Sequence, residues 1–117
     1  MLRHEKRPWG EFHVLEEGPG FKVKRIVVNP GGRLSLQSHQ HRSEHWIVVQ
    51  GKARASLEDG VVTLGIGQSL DIPALARHRL ENFETTPLEV IEVLFGDYLE
   101  EDDIVRYEDA YNRVKVA

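Results

Sequence analysis

The sequence predicts an all-β fold, a sandwich or a closed barrel. Short apolar runs recur with turn residues between them, roughly every six to twelve residues. Most of the runs alternate polar with apolar side chains, the period of a half-buried strand. The tail departs from this pattern. At 117 residues the chain is expected to form one domain, spanning 1–117, with one core.

Taken in order, a first strand is expected over residues 10–15, before the turn made by Gly18, Pro19 and Gly20. Residues 21–28 form the next, closed by Asn29, Pro30 and two glycines. Strands over 33–39 and 44–50 follow, then a hairpin of 52–57 with 60–64 around an Asp59–Gly60 turn. Residues 68–72, 77–82 and 88–95 complete about seven to nine strands. In the acidic tail, Ile104, Val105, Tyr107 and Tyr111 fall at roughly helical spacing. A short helix or turn packed on the barrel is expected over 99–111, with the acidic run as a solvated cap.

Composition narrows the function. Net charge is −4 with both signs interspersed, so no nucleic-acid footprint is visible. There are no cysteines, which excludes disulfides and thiolate metal sites and fits a reducing compartment. No apolar run follows the N-terminal residues as in a signal peptide, and none is long enough to cross a bilayer. A cytoplasmic protein acting on a small molecule, with neither nucleic acid nor membrane as partner, is expected.

Residues 31–51 hold the densest chemistry. Three of the six histidines, His39, His41 and His45, lie within seven residues, beside Gln37 and Glu44. Imidazole nitrogen and carboxylate oxygen are ligands for borderline divalent metals. Gln37 and His39 are two apart and leave the same face of a strand. Residues 40–43 read as a tight loop, after which Glu44 can return opposite them.

Alternation also assigns neighbours. If Gln37 and His39 point inward, so do Ser35 and Arg33, while Leu34, Leu36 and Ser38 face away. An inward Arg33 would hold a phosphate or pair with a carboxylate at the barrel mouth. Glu44, Trp46 and Val48 share one face, and His45, Ile47 and Val49 the other. That apolar outer face implies a dimer contact or a cover from the N-terminal segment. Lys22 and Lys24 share a face with Ile26 and Val28. Either the lysines meet solvent or Lys24 reaches the pocket.

The same stretch resembles the first signature of the cupin superfamily. Gly31, Gln37, His39, Glu44 and Gly51 fall at its spacing, with Gln37 in a histidine position. A rival frame using His39, His41 and His45 misses both glycines by one residue. Gly67, Pro73, His78 and Asn82 match the second signature, with Leu75 where a glycine is usual. The resemblance implies a jelly-roll β-barrel and a metal held by Gln37, His39, Glu44 and His78.

A narrower likeness rests on Arg7 to Gly10, residues 18–28, 34–39, 41–46 and 78–82, and Asp102 to Arg106. These resemble the C-terminal phosphomannose isomerase domain of the bifunctional mannose-1-phosphate guanylyltransferase/mannose-6-phosphate isomerases (type II). The strand with Gln37 and His39 is also similar to the metal-site strand of the type I isomerases. No Gly-x-Gly-x-x-Gly or P-loop stretch lies in the 117 residues, so guanylyl transfer is not expected of them.

The likeness implies interconversion of mannose 6-phosphate and fructose 6-phosphate through an enediol. One divalent metal is implied, zinc first, with manganese, cobalt, nickel or iron as alternatives. His41 is the first candidate for the base and Lys24 the second; His45 is expected to be structural. Arg33, Arg42 and Arg79 are phosphate candidates, Ser35 lies beside the metal strand, and Trp46 and Trp9 are candidates for a sugar platform or core. A homodimer is expected. The alternatives are a non-catalytic sugar-binding cupin, a partner subunit of a separate guanylyltransferase, or a cupin with other metal chemistry such as an epimerase or oxygenase.

Overall fold

Strict alternation makes the central strands. In Phe21–Val28 every second residue is buried, and Leu88–Gly96 and Arg42–Gln50 repeat the pattern. Each such strand has one apolar face to hide, so two sheets close on each other. The computed structural model describes residues 2–109. Its strands are β1 Arg3–Arg7, β2 Gly10–Gly18, β3 Phe21–Val28, β4 Leu36–Ser38, β5 Arg42–Gln50, β6 Ala53–Leu57, β7 Gly60–Leu64, β8 Ser69–Ile72, β9 His78–Glu81, β10 Leu88–Gly96 and β11 Val105–Glu108.

The six-stranded sheet runs β1-β2-β3-β10-β5-β8 and the five-stranded sheet β11-β4-β9-β6-β7, with every pairing antiparallel. Between them lies a core that includes Phe12, Val14, Val28, Val48, Leu80 and Val90. The expected all-β barrel is therefore present. No helix of the described residues is long and apolar enough to cross a membrane.

Four sequence expectations need correction. The tail forms no helix among the described residues: Val105–Glu108 is a strand that pairs with β4. Adjacent β-branched Ile104 and Val105 favour extended backbone, and β4 offers an open edge. Tyr111 lies outside the described residues. The acidic run is not simply a solvated cap, because Asp103 is buried and Glu101 reaches the cavity. The strand expected over 33–39 is broken. Arg33 makes one bridge to Glu81, and regular pairing resumes only in β4. The interruption shifts parity, so Arg33 is exposed while Leu34 packs against the core. Finally, β1 was not expected: Arg-His-Glu-Lys-Arg carries no apolar residue to mark a strand, yet it pairs with β2 in full register.

Candidate metal centre

Three strands bring the donors together. β4 and β9 pair with Gln37 directly opposite His78, and β5 brings Glu44 across from the other sheet. His39 follows β4 at the start of the 39–41 loop. His39, Glu44 and His78 are all buried, and one ligand atom from each lies within 4.8 Å of the others. His39 Nε2 is 3.0 Å from Glu44 Oε2, and His78 Nε2 is 3.9 Å from Glu44 Oε1.

The outer nitrogens of both rings are already committed. His39 Nδ1 lies 2.7 Å from the Asp103 carbonyl oxygen, and His78 Nδ1 lies 2.9 Å from that of Ala76. A carbonyl can only accept, so in both neutral rings Nδ1 carries the proton and Nε2 turns a lone pair inward. That lone pair of His39 lies 3.0 Å from the Glu44 carboxylate, and the positive charge the contact needs comes from Arg42, which touches both; a divalent cation would supply the same charge. The donor set fits a divalent cation. Gln37, opposite His78, is a candidate fourth donor: its Nε2 donates to Ser35 Oγ at 3.2 Å and to the Ser35 carbonyl at 3.3 Å, so Oε1 is the atom it has for a cation.

Charge in the site is tightly shared. Burial works to raise the Glu44 carboxyl, but contact with the His39 ring and the charge of Arg42 outweigh it and hold it well below the usual range. Burial also opposes the charge on Arg42, and there Glu44, then Glu92 and Glu101, outweigh it, so the guanidinium stays charged. Arg42 Nε donates to Glu44 Oε2 at 2.9 Å, and its Nη2 lies 3.2 Å from His39 Nε2. Burial lowers the His78 pKa and favours the neutral ring that a metal requires. Trp46 Nε1 donates to Glu44 Oε1 at 2.9 Å, and its ring meets His78 edge-on.

Beside this cluster a cavity of about 590 Å³, mouth included, opens between the sheets. Lys24 faces it, with 3% exposure, from the inner face of β3. Its Nζ donates to Glu101 Oε2 and sits 4.6 Å over the Phe12 ring. Lys22, on the same inner face, donates to the Leu99 carbonyl at 2.8 Å. The solvent-facing alternative for this pair is thus excluded. Burial and the Glu44 charge push the Glu92 carboxyl well above the usual range; it stands opposite Lys24 on β3 and Trp46 on β5.

Of the residues singled out in the sequence, Gln37, Glu44, His78, Ser35, Trp46, Arg42, Lys24 and Trp9 line the cavity, and His39 adjoins it through Arg42 and Glu44. Arg33 does not: it lies on the outside, 3.8 Å from Glu81. Arg79 alternates outward from His78 and donates to the Leu34 and Glu108 carbonyls, which fastens β11 to its neighbours. His41 is exposed, edge-on to Tyr98, and is not part of the cavity wall, so its role as base is withdrawn. Its loop turns it outward because its own N–H is held by Asp103. His45 points outside toward Asp71, which removes the rival histidine frame. Glu92, Glu101, Arg106 and Arg7 were not anticipated in the cavity wall. Glu92 was legible from its two-residue spacing to Val90 and Leu94; the others come from segments whose path the pattern does not give.

The family model for the mannose-6-phosphate isomerase C-terminal domain matches residues 1–109. Mannose-1-phosphate guanylyltransferase ManC of Salmonella typhimurium is 51% identical over 114 residues, which cover 97% of this chain and 24% of that protein. The alginate biosynthesis protein AlgA of Pseudomonas aeruginosa is 52% identical over 107 residues, covering 92% of this chain and 22% of that one. The chain thus spans about a quarter of these relatives. Among solved structures, KdgF from a Halomonas species superposes with a TM-score of 0.76 at 18% identity, over 84% of this chain and 88% of that one. The fold is shared with the cupin domain of Schizosaccharomyces pombe Cnp3, with a TM-score of 0.69 at 15% identity over 74% of this chain and 64% of that one, and the chain belongs to the family of mannose-6-phosphate isomerase C-terminal domains.

Proposed function

We propose that this domain is an aldose–ketose isomerase that interconverts mannose 6-phosphate and fructose 6-phosphate through an enediol. The observation that carries the reading is the pair of buried histidines whose Nδ1 groups are held by carbonyls while both Nε2 atoms turn toward Glu44, at the wall of a cavity that also holds Lys24. Gln37, His39, Glu44 and His78 would hold one divalent cation, zinc in our reading. Bound there, it would supply a Lewis acid for the oxygens on C1 and C2 of the sugar.

The chain's own groups do the rest. Removing a proton from carbon needs a base in the cavity, and His41 is outside it. We assign the carbon-to-carbon transfer to the Lys24–Glu101 pair: the Glu101 carboxylate takes the C2 proton and returns it to C1 while the hydroxyl proton on O2 passes to O1, and Lys24 fixes the position of the carboxylate. Trp46 and Trp9 give the sugar an apolar wall, and Ser35 keeps the Gln37 amide oriented. Arg7, Arg42 and Arg106 supply the positive charge a phosphate requires. We further propose a homodimer, in which a second copy covers the outer strip of Ile47 and Val49 on β5 and Ile91 and Phe95 on β10; light scattering in solution tests it.

The test of function is a coupled assay of mannose 6-phosphate conversion by the purified chain reconstituted with zinc, cobalt, manganese or nickel. Turnover that disappears in Lys24→Met and in Glu101→Gln supports the assignment. Silence with all four metals, together with retained binding of mannose 6-phosphate by calorimetry, would make this a sugar-binding module of a larger guanylyltransferase.

A further inference from the structure

We propose that the β1–β2 hairpin carries a second divalent-metal site, made by His4, Glu11 and His13 on the outer face of the six-stranded sheet. One ligand atom from each of the three lies within 4.8 Å of the others. Two imidazoles and a carboxylate form a donor set for zinc or a similar borderline cation, with water completing the coordination.

Backbone register builds most of this arrangement. His4 and His13 are directly opposed across the antiparallel β1–β2 pair, so their side chains are neighbours before any rotamer is chosen. Glu11 lies two residues before His13 and leaves the same face. The two rings stack almost parallel, 4.4 Å between centroids and 5° between planes. Both turn the same nitrogen toward one carboxylate: His4 Nε2 is 2.6 Å from Glu11 Oε2 and His13 Nε2 is 3.4 Å from Glu11 Oε1. A single cation would satisfy both nitrogens and the carboxylate with one charge.

Two cations flank the cluster: Lys6, directly opposite Glu11, and Arg25, opposite His13, the second neutralised by Glu89 at 2.6 Å. The inner faces of the same two strands carry Arg7 and Phe12 into the cavity. A cation on the outer face therefore cross-links the five-residue edge strand that supplies Arg7, at a place separate from the barrel centre.

The experiment is equilibrium dialysis of the tag-free protein against zinc, followed by elemental analysis. His4→Ala and His13→Ala are each expected to lose one zinc equivalent per chain relative to the parent, with an unchanged circular dichroism spectrum. This difference holds whether or not the barrel centre also binds zinc. His39→Ala/His78→Ala should keep that equivalent, and zinc should still raise its melting temperature, an effect that adding His4→Ala abolishes. Equal zinc content in the parent and both hairpin variants would overturn the site, whatever the assay of isomerisation shows.

Discussion

His39 donates through Nδ1 to the carbonyl of Asp103, 64 residues further along the chain. The same aspartate accepts the backbone N–H groups of Gln40 and His41 on its two carboxylate oxygens, each at 2.9 Å. One residue of the tail thus fixes both the tautomer of a candidate metal donor and the loop that presents it. Removing such an outer partner typically weakens metal binding by 10–100-fold. Asp103→Ala keeps the carbonyl that holds His39 and removes only the carboxylate, so it is expected to lower zinc affinity by less than that range and to destabilise the fold by about 1–3 kcal/mol, because two part-buried donors lose a charged acceptor. Zinc titration and thermal unfolding measure the two effects.

Asp103 also predicts a pH dependence. Burial raises its pKa, but the N–H groups of Gln40 and His41 outweigh that, so in the folded state it lies below 3.8. A carboxyl depressed by folding stabilises the protein above its unfolded pKa and loses that contribution as pH falls through the folded value. The stability gap between parent and Asp103→Asn should therefore be wide near neutral pH and close as pH drops below 3.8. Urea unfolding at a series of pH values tests it. A gap that persists unchanged into strong acid would refute the assignment.

Arg42 and Glu44 are both buried, and each is the main opposite charge for the other. Breaking a buried pair by removing one partner costs about 3–5 kcal/mol, since an uncompensated charge remains. Glu44→Ala should be destabilising to about that extent in metal-free protein. Glu44→Ala/Arg42→Met should recover most of the loss, as the stranded guanidinium is gone. If the double variant is no more stable than the single one, the pair is not what the site depends on.

How much of this was legible in the sequence differs from residue to residue. Glu44, His78 and Gln37 lie on or beside regular strands, where two-residue periodicity and the spacing of Gly31, Gly51 and Gly67 fix both position and face. Arg33 was misplaced because the backbone leaves the ladder at residues 34 and 35, and parity cannot be carried across a break. Lys24 was ambiguous for a different reason. The alternation of β3 put it with Ile26 and Val28, but a lysine on an apolar face is buried only when a distant carboxylate meets it. Glu101 does so from a segment 77 residues away, and no local pattern announces that pairing. The tail reads as a short helix or turn because Ile104, Val105 and Tyr107 satisfy either period over so short a run, and the free edge of β4 makes it a strand.

The Lys24–Glu101 pair yields a kinetic prediction. If it transfers the proton, Lys24→Met and Glu101→Gln should each lower kcat by about 10²–10⁴-fold while leaving zinc content at the parental level. Arg106→Ala, at the same cavity wall, should act mainly on KM, because it is assigned to the phosphate. Steady-state kinetics with metal analysis on the same samples separates the two. Loss of zinc in Lys24→Met would show that the lysine supports the metal centre instead.

Leu75 supplies a last test, of how the turn before β9 supports His39. Its φ is 73°, the left-handed region, and it is 66% exposed, so its side chain gains little from burial there. Its N–H donates to the His39 carbonyl at 2.8 Å, a bond any residue can make. A non-glycine side chain in this region costs roughly 1–2 kcal/mol, while glycine adds about 0.5–1 kcal/mol of unfolded-state entropy. Leu75→Gly should therefore be neutral to about 1 kcal/mol stabilising, with zinc affinity unchanged. Leu75→Val should be destabilising, because branching at Cβ tightens the clash. Thermal unfolding of both variants decides the matter: a Leu75→Gly protein less stable than Leu75→Val would mean that the leucine side chain, not the backbone angle, sets the turn.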